Sequence, residues 1–388
     1  MEKLDKLIFS TLFFSMLTTV TGVGIVVPLL PVYAHTLGAS GLYIGLIFGA
    51  FSLSRTLFLP YFGRLSDKKG RKPFIVVGLF AYSVISLAFM LSKDVNSLIF
   101  TRFIQGVASA MLMPVIQAYI GDITPEGREG FSMGLFNMSM FFGLSLGPVM
   151  GGIINDHLSL NAAFFCMGFL AFAGFLMGLF LLPPTKSERI ANLGKVPVKW
   201  KILLNDKDMA GLFLFRFAYT LCIGVIWGFL PVLADSEFNL SSSSIGILVM
   251  LGVFISGLIH LPMGYLADFL NKNKMIAAGG FIVVFSMFYF RWSSSSQGLF
   301  YASILFGVGG GISMPALMAL AVLKGNKAHA MGSVMALLTL AHSVGMFTGS
   351  VLAGMMMDFA RLREAFLMGS VIMGIGIGLF FACTFKKK

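Results

Sequence analysis

Stretches of about 20 uninterrupted apolar residues recur along the whole chain, and nothing else in it restricts the fold as severely. Each is long enough to cross a ~30 Å hydrocarbon layer as a helix. Backbone N–H and C=O groups in lipid must be paired within the segment or around a closed barrel. Barrel strands read as shorter segments of alternating hydrophobicity, so these continuous runs imply helices. Twelve spans are expected, at roughly 7–33, 42–62, 73–92, 96–120, 131–154, 161–182, 209–233, 244–266, 275–292, 297–322, 331–357 and 364–385. Composition agrees: 57% of residues are hydrophobic and 11% charged, whereas a soluble domain carries about 25% charged residues. Mean hydropathy is +0.90. The expected fold class is an all-α polytopic membrane protein of twelve transmembrane helices.

A net charge of +12 raises the question of a nucleic-acid partner, but the placement of the cations argues against one. Of 28 Lys and Arg, only Lys93, Arg291, Arg361 and Arg363 fall on the side away from the cytoplasm, and Arg55, Arg102 and Arg216 fall within spans. The other 21 lie where a cytoplasmic N-terminus puts the cytoplasmic segments, as the positive-inside rule requires. Both termini are therefore expected in the cytoplasm, the Lys386–Lys387–Lys388 tail included, with the chain spanning the cell (inner) membrane many times. The first run is longer than a signal-peptide core and lacks a small-residue cleavage site, so it reads as a retained span. Cys166, Cys222 and Cys383 lie singly in apolar runs, spaced for neither a disulfide framework nor a metal site.

The longest polar interruption, Pro183 to Asp208, carries six cations. It divides the chain into an expected N-terminal six-helix bundle (1–183), a cytoplasmic linker (184–208) and a C-terminal six-helix bundle (209–388). The two sides align at an offset near 200. Pro31–Val32 matches Pro231–Val232, Ile44–Gly45 matches Ile245–Gly246, and Met113–Pro114 matches Met314–Pro315. Gly143 and Gly147 match Gly345 and Gly349, Asp156 matches Asp358, and Ala163–Phe164 matches Ala365–Phe366. Six spans repeated in the same inside/outside sense form a parallel repeat, as in transporters whose halves rock about a midplane site.

Four motifs stand out. Between spans 2 and 3 lies Gly63-Arg64-Leu65-Ser66-Asp67-Lys68-Lys69-Gly70-Arg71-Lys72-Pro73, echoed downstream by Gly264-Tyr265-Leu266-Ala267-Asp268. Gly63 and Gly70 allow the positive φ and close approach that a hairpin reversal needs. Asp67 is a lone acceptor among cations. Span 4 carries Arg102-x-x-Gln105-Gly106. Span 5 carries Gly143-x-x-x-Gly147-Pro148-x-x-Gly151-Gly152, small residues at the interval that lets helices approach closely. Span 1 carries Gly22 followed by Pro28 and Pro31. With these residues the chain resembles the major facilitator superfamily over essentially its whole length. Within that superfamily it looks like the twelve-span drug:proton antiporter branch, which includes tetracycline exporters.

The resemblance assigns roles. The turn is either a solvated basic loop that only sets topology or a conformational latch in which Asp67 caps the N-terminus of span 11 in one state and releases it in another. In the family that carboxylate acts with the arginine four residues on and an acid ending span 4, here Arg71 and Asp122. The second half keeps Asp268, but Asn271-Lys272-Asn273-Lys274 replaces the Gly-Arg-Lys end, so that latch is expected to be weaker. The span 5 motif accompanies export in the family; packed against span 8 and bent at Pro148, it would seal the cavity. Spans 1, 4, 7 and 10 line the cavity in this fold. Two helical stripes then become candidate cavity surfaces, one of Arg102, Gln105, Ser109 and Met113, the other of Arg216, Tyr219, Ile223 and Trp227. A cation at bilayer depth marks function by default, although Arg102, Arg216 and Arg55 could also snorkel or pair with carbonyls.

One departure matters. Tetracycline exporters hold a carboxylate in span 1, and their pattern laid on Gly24, Pro28 and Pro31 puts Thr19 there. All 16 acidic residues fall in loops or at span ends. His260 and His342 are the alternative proton-loading candidates, with Asp122 and Asp67 as another route. Three functions stay open: a secondary active exporter of small amphipathic organic compounds working by alternating access, with protons as a candidate coupling ion; a transporter or exchanger of an organic anion or lysolipid; and a non-transporting membrane sensor, against which stands the lack of an added domain or long tail. No nucleophile–base or metal-ligand cluster occurs at helical spacing, so the chain is not expected to be an enzyme. The expected partners are a small-molecule substrate and the lipid bilayer, with no cofactor, metal or nucleic acid. The resemblance implies a monomer.

Overall fold

Each apolar run closes its own backbone hydrogen bonds as an α-helix. The computed structural model describes residues 3–124, 129–183, 205–327 and 331–384. Among these, twelve helices follow one another: α1 (Lys3–Thr36), α2 (Gly41–Lys69), α3 (Lys72–Leu91), α4 (Val95–Ile123), α5 (Glu129–His157), α6 (Leu160–Leu181), α7 (Lys207–Ser236), α8 (Ser242–Phe269), α9 (Lys272–Trp292), α10 (Ser296–Lys327), α11 (Met331–Phe359) and α12 (Glu364–Thr384). All twelve are long and apolar enough to cross a membrane. Several outrun the apolar segment that announced them, because a helix continues past the hydrocarbon as long as its backbone stays paired. α2 is the clearest case: its apolar run ends near 62, and the helix ends at Lys69.

Short connections are fixed by local caps. Asp94 accepts from the Ser97 N–H (2.9 Å) at the start of α4, Ser159 from the Ala162 N–H (3.1 Å) at α6, and Asn271 from the Lys274 N–H (3.2 Å) at α9. Each satisfies a backbone donor that a helix start leaves over. The Ser97 N–H and hydroxyl hold the exposed Asp94 carboxyl below the usual carboxylate range.

Packing divides the chain into two compact units. The first comprises Met1–Leu37, Ala50–Gly194 and Ser241–Met250; the second comprises Gly38–Gly49, Lys195–Leu240 and Leu251–Lys388. In the first, α1 lies along α5 and α6, and α3 along α4 and α6. In the second, α7 lies along α11 and α12, and α9 along α10 and α12. The neighbours of helices one to six thus recur in order in helices seven to twelve, which is the parallel repeat. Core aromatics repeat with it. Phe89 of α3 meets Phe164 of α6 at 5.4 Å between ring centroids, and Phe290 of α9 meets Phe366 of α12 at 5.3 Å. Large apolar side chains such as Phe165, Leu261 and Phe359 point outward, a surface suited to hydrocarbon rather than water. Residues 184–204 of the expected linker, and the Lys386–Lys388 tail, lie outside the described residues.

Candidate functional site

The turn after α2 reverses at one residue. Gly70 has φ +88°, a left-handed conformation that costs a residue with a Cβ about 1–2 kcal/mol. Gly63, expected in the same reversal, is helical instead. It sits within α2 with open space beside it, because the polar residues 64–69 extend the helix rather than break it. Gly70 delivers Arg71 inward, where it is 3% exposed. Its Nη1 donates to the Asp67 carboxylate and to Ser66 Oγ (2.9 Å), and its Nε to Asp122 Oδ2 (3.2 Å) at the end of α4. The structure therefore brings together the three charged residues that the resemblance joined. Ser66, fully buried, is a fourth member that sequence reasoning passed over as turn filler. The echo is not built this way. Asp268 is exposed at the end of α8 and forms no ion pair among the described residues, while Asn271 caps α9 where the first half has its arginine.

Arg102 is sealed inside the first unit, 2% exposed. Its Nη1 donates to Gln105 Oε1 at 2.8 Å, and its guanidinium lies 5.5 Å from the Phe51 ring centre on α2. Tyr82 of α3 joins it, hydrogen-bonded to Ser109 and within electrostatic reach of Arg55 and Arg102. Sequence reasoning did not single out Tyr82; a hydroxyl in the middle of an otherwise apolar span was the available signal. Gly106 lets α4 press against the Phe51 carbonyl and Ser54. Met113, further along the stripe, is half-buried. Thr19, at the position where tetracycline exporters carry an acid, is buried and donates to the Ser15 carbonyl of its own helix at 2.7 Å.

In the second unit four helices bring polar groups to one depth. Arg216 lies nine residues from the start of α7, His260 nine from the end of α8, Met314 thirteen from the end of α10 and His342 eleven from the start of α11. At about 1.5 Å per residue each is some 14–20 Å from its helix end. Arg216 Nη1 reaches Met314 Sδ (2.7 Å), and Nη2 reaches His342 Nδ1 (3.4 Å). A guanidinium can only donate, so in this contact Nδ1 is the acceptor. Tyr219, one turn along, is stacked on Phe306 of α10 at 5.6 Å with 10° between the rings. Trp227 continues the face, half-buried. His260 Nδ1 is 3.0 Å from the Ser256 carbonyl.

The α5 glycines pack chiefly on α1 rather than on α8. Gly143 faces Val20 and Thr21, Gly147 faces Thr21 and Gly24, and Gly151 faces Ile25, with the Pro148 ring also against Gly24. Positions 143, 147 and 151 form one stripe on a 3.6-residue helix, and Gly152 lies about 100° round from it. Gly152 is the glycine that meets the start of α8, at Ser242–Ser243, while the Pro148 carbonyl abuts Gly246. The copy behaves alike: Gly345 and Gly349 lie against Phe217, Thr220 and Leu221 of α7. The matched acids Asp156 and Asp358 also share a role. Asp156 accepts from the Ser242 and Ser243 N–H groups (3.0 and 2.8 Å) at the start of α8, and Asp358 from the Gly41 and Leu42 N–H groups (2.6 and 2.8 Å) at the start of α2. Each carboxylate sits on the positive end of a helix that is not its own. No cluster of three or more metal-ligating side chains occurs among the described residues.

The Major Facilitator Superfamily model matches residues 12–224 and again 212–388, one match for each half. An uncharacterized MFS-type transporter of Methanocaldococcus jannaschii is 32% identical over 383 residues, 98% of each chain. The quinolone resistance protein NorA of Staphylococcus aureus is 30% identical over 229 residues, 56% of this chain and 58% of that protein. A solved bacterial homologue of the human lysosomal transporter Spinster superposes with TM-score 0.82 at 13% identity, over 98% of this chain and 96% of that one; at that identity the likeness bears on the fold alone. The twelve-helix repeat, the two family matches and the full-length relative lead to one conclusion: the chain belongs to the major facilitator superfamily and is a multi-pass membrane transporter, not an enzyme.

Proposed function

We propose that the protein is a secondary active exporter that moves small amphipathic organic compounds by alternating access. The observation that carries this reading is the buried Arg71 shared between Asp67 of α2 and Asp122 of α4. A buried cation held by two partly exposed acids is a charge network with more than one stable pairing, as a latch between conformations requires. The tight α5–α1 glycine face and the partial kinship with NorA support export of amphipathic compounds. Among the described residues the acids all stand at helix ends or between helices, so proton coupling on this reading uses the Asp67–Arg71–Asp122 network or the histidines near Arg216 rather than a mid-membrane acid.

The test is transport in proteoliposomes of the full chain, with and without an imposed pH gradient, offered amphipathic cations, neutral compounds and anions. Gradient-driven movement by the wild type is expected, with at least a tenfold loss in Asp67→Asn, which still inserts and folds. Unimpaired transport by that variant removes the latch. Silence of the wild type under every gradient removes the exporter.

A further inference from the structure

The second unit holds a charge that nothing described beside it balances. Arg216 lies deep in α7, and the two groups its Nη atoms reach are a thioether and an imidazole, neither of them an anion. Its Nε is buried and has no hydrogen-bond partner. No Asp or Glu of this unit lies more than two residues from a helix end, so none stands at the depth of Arg216. A cation at bilayer depth without a carboxylate is costly, and a buried charged donor left unpaired adds to that cost. A water on Nε would satisfy the donor but not the charge.

We propose that Arg216 is the headgroup anchor of a substrate site for amphipathic organic anions bearing a carboxylate. Nε and Nη2 form the side edge of the guanidinium, the donor pair whose spacing matches two carboxylate oxygens. Nε is the orphan, and Nη2 is held only by the long 3.4 Å contact to His342. An arriving carboxylate takes both donors and replaces the long His342 contact on Nη2. The surroundings suit the rest of such a molecule. Tyr219 and Phe306 stack nearly parallel and offer an aromatic shelf one turn away, and Met314 supplies an adaptable apolar wall. His260 adds a second polar group in the same field. This inference rests on the transporter reading above and narrows its substrate class to anions, the opposite charge from the lipophilic cations that a mid-membrane acid would attract.

The test uses three probes of one shape: naphthalene-2-carboxylate, naphthalene-2-carboxamide and a naphthyl trimethylammonium salt. Equilibrium binding to the full-length protein in nanodiscs is measured beside proteoliposome transport. The carboxylate is expected to bind roughly tenfold or more tighter than the amide. Arg216→Gln should abolish that preference, the carboxylate then binding no tighter than the amide, whereas Arg216→Lys, which keeps the charge and loses the fork, should fall between. If Arg216→Gln fails to fold, the reduced preference of Arg216→Lys carries the test, and an unchanged preference in it overturns the fork. Equal binding of carboxylate and amide, preference for the cation, or an equal loss of all three probes in Arg216→Gln overturns the proposal. If the amide and cation are transported without any carboxylate preference, the exporter reading stands and the anion site falls. If the carboxylate binds through Arg216 yet nothing is transported, the site stands and the exporter reading falls.

Discussion

Arg71 is 3% exposed, while its partners Asp67 and Asp122 are 37% and 21% exposed. That asymmetry decides which substitution hurts most. If Arg71 is removed, the two acids can turn to water and recover hydration. If both acids are neutralised, a buried guanidinium loses two charged partners at once, the more costly arrangement. Asp67→Asn with Asp122→Asn should therefore lower thermal stability more than Arg71→Gln, by about 3 kcal/mol against about 1–2 kcal/mol. Melting curves of the three purified proteins in one detergent decide it; a larger drop from Arg71→Gln would show that the acids, not the cation, depend on the pairing. The same residue-level reasoning separates Arg102 from Arg216. Arg102 is met by Gln105, Phe51 and a tyrosine-bearing cluster, whereas Arg216 meets a sulfur and an imidazole.

Between helices the controlling quantity is the backbone approach that glycine permits. A side chain on Gly147 would meet the Thr21 carbonyl and the Gly24 backbone, neither of which can rotate away. A side chain on Gly134 of the same helix would meet nothing within 4 Å. Gly147→Ala should therefore force α5 off α1 and cost about 1–3 kcal/mol, as overpacking does. Gly134→Ala should be neutral or stabilising by up to ~1 kcal/mol from helix propensity alone. Comparing expression, monodispersity and melting temperature of the two variants checks this; equal behaviour would mean the glycine stripe is not a packing constraint. The paired caps show the same logic in polar form, since Asp156 and Asp358 each satisfy two backbone donors at a helix start that no intrahelical carbonyl can reach.

At the scale of the whole chain, duplication explains the architecture and divergence explains where function concentrates. Packing neighbours, the core aromatic pair and the Asp156 and Asp358 caps recur between the halves, but the charge chemistry does not. The first half has the Arg71 network. The second has instead Lys324 at the end of α10, held by Asp206 (3.1 Å) and Asp208 (2.5 Å) at the start of α7. Partial burial would raise the Asp206 carboxyl, but hydrogen bonds and attraction from Lys324, with the Met209 and Asp208 N–H groups, hold it below the usual carboxylate range. A folded-state value below the unfolded one gives stability that is complete above the ordinary value of 3.8 and lost as pH falls through the lower folded value. Because these groups are partly exposed, the clasp contributes no more than about 1 kcal/mol. Lys324→Met should melt slightly below the wild type at pH 7, with the gap closing below about pH 3.8. A gap that persists into strong acid would assign the loss to packing of the lysine stem.

The chain's own residues determined the class of fold, the twelve spans, the parallel repeat and the Asp67–Arg71 spacing of the α2–α3 turn, while the family resemblance joined Asp122 to that pair. Those features are local or periodic: hydropathy over 20 residues, similarity at a fixed offset, a carboxylate four residues from an arginine. Only the tertiary structure decided that Gly63 is helical and Gly70 alone makes the turn, since both glycines permit the same φ. It also decided that the α5 stripe seats mainly on α1, because a face of glycines specifies closeness but not its partner. Tyr82 joined the Arg102 cluster, and Arg216 came against residues 98 and 126 positions away, through contacts that no window of sequence contains. In a chain whose spans are all apolar helices, the hydrophobic pattern selects the elements. The few buried polar groups find their partners only when those helices are packed.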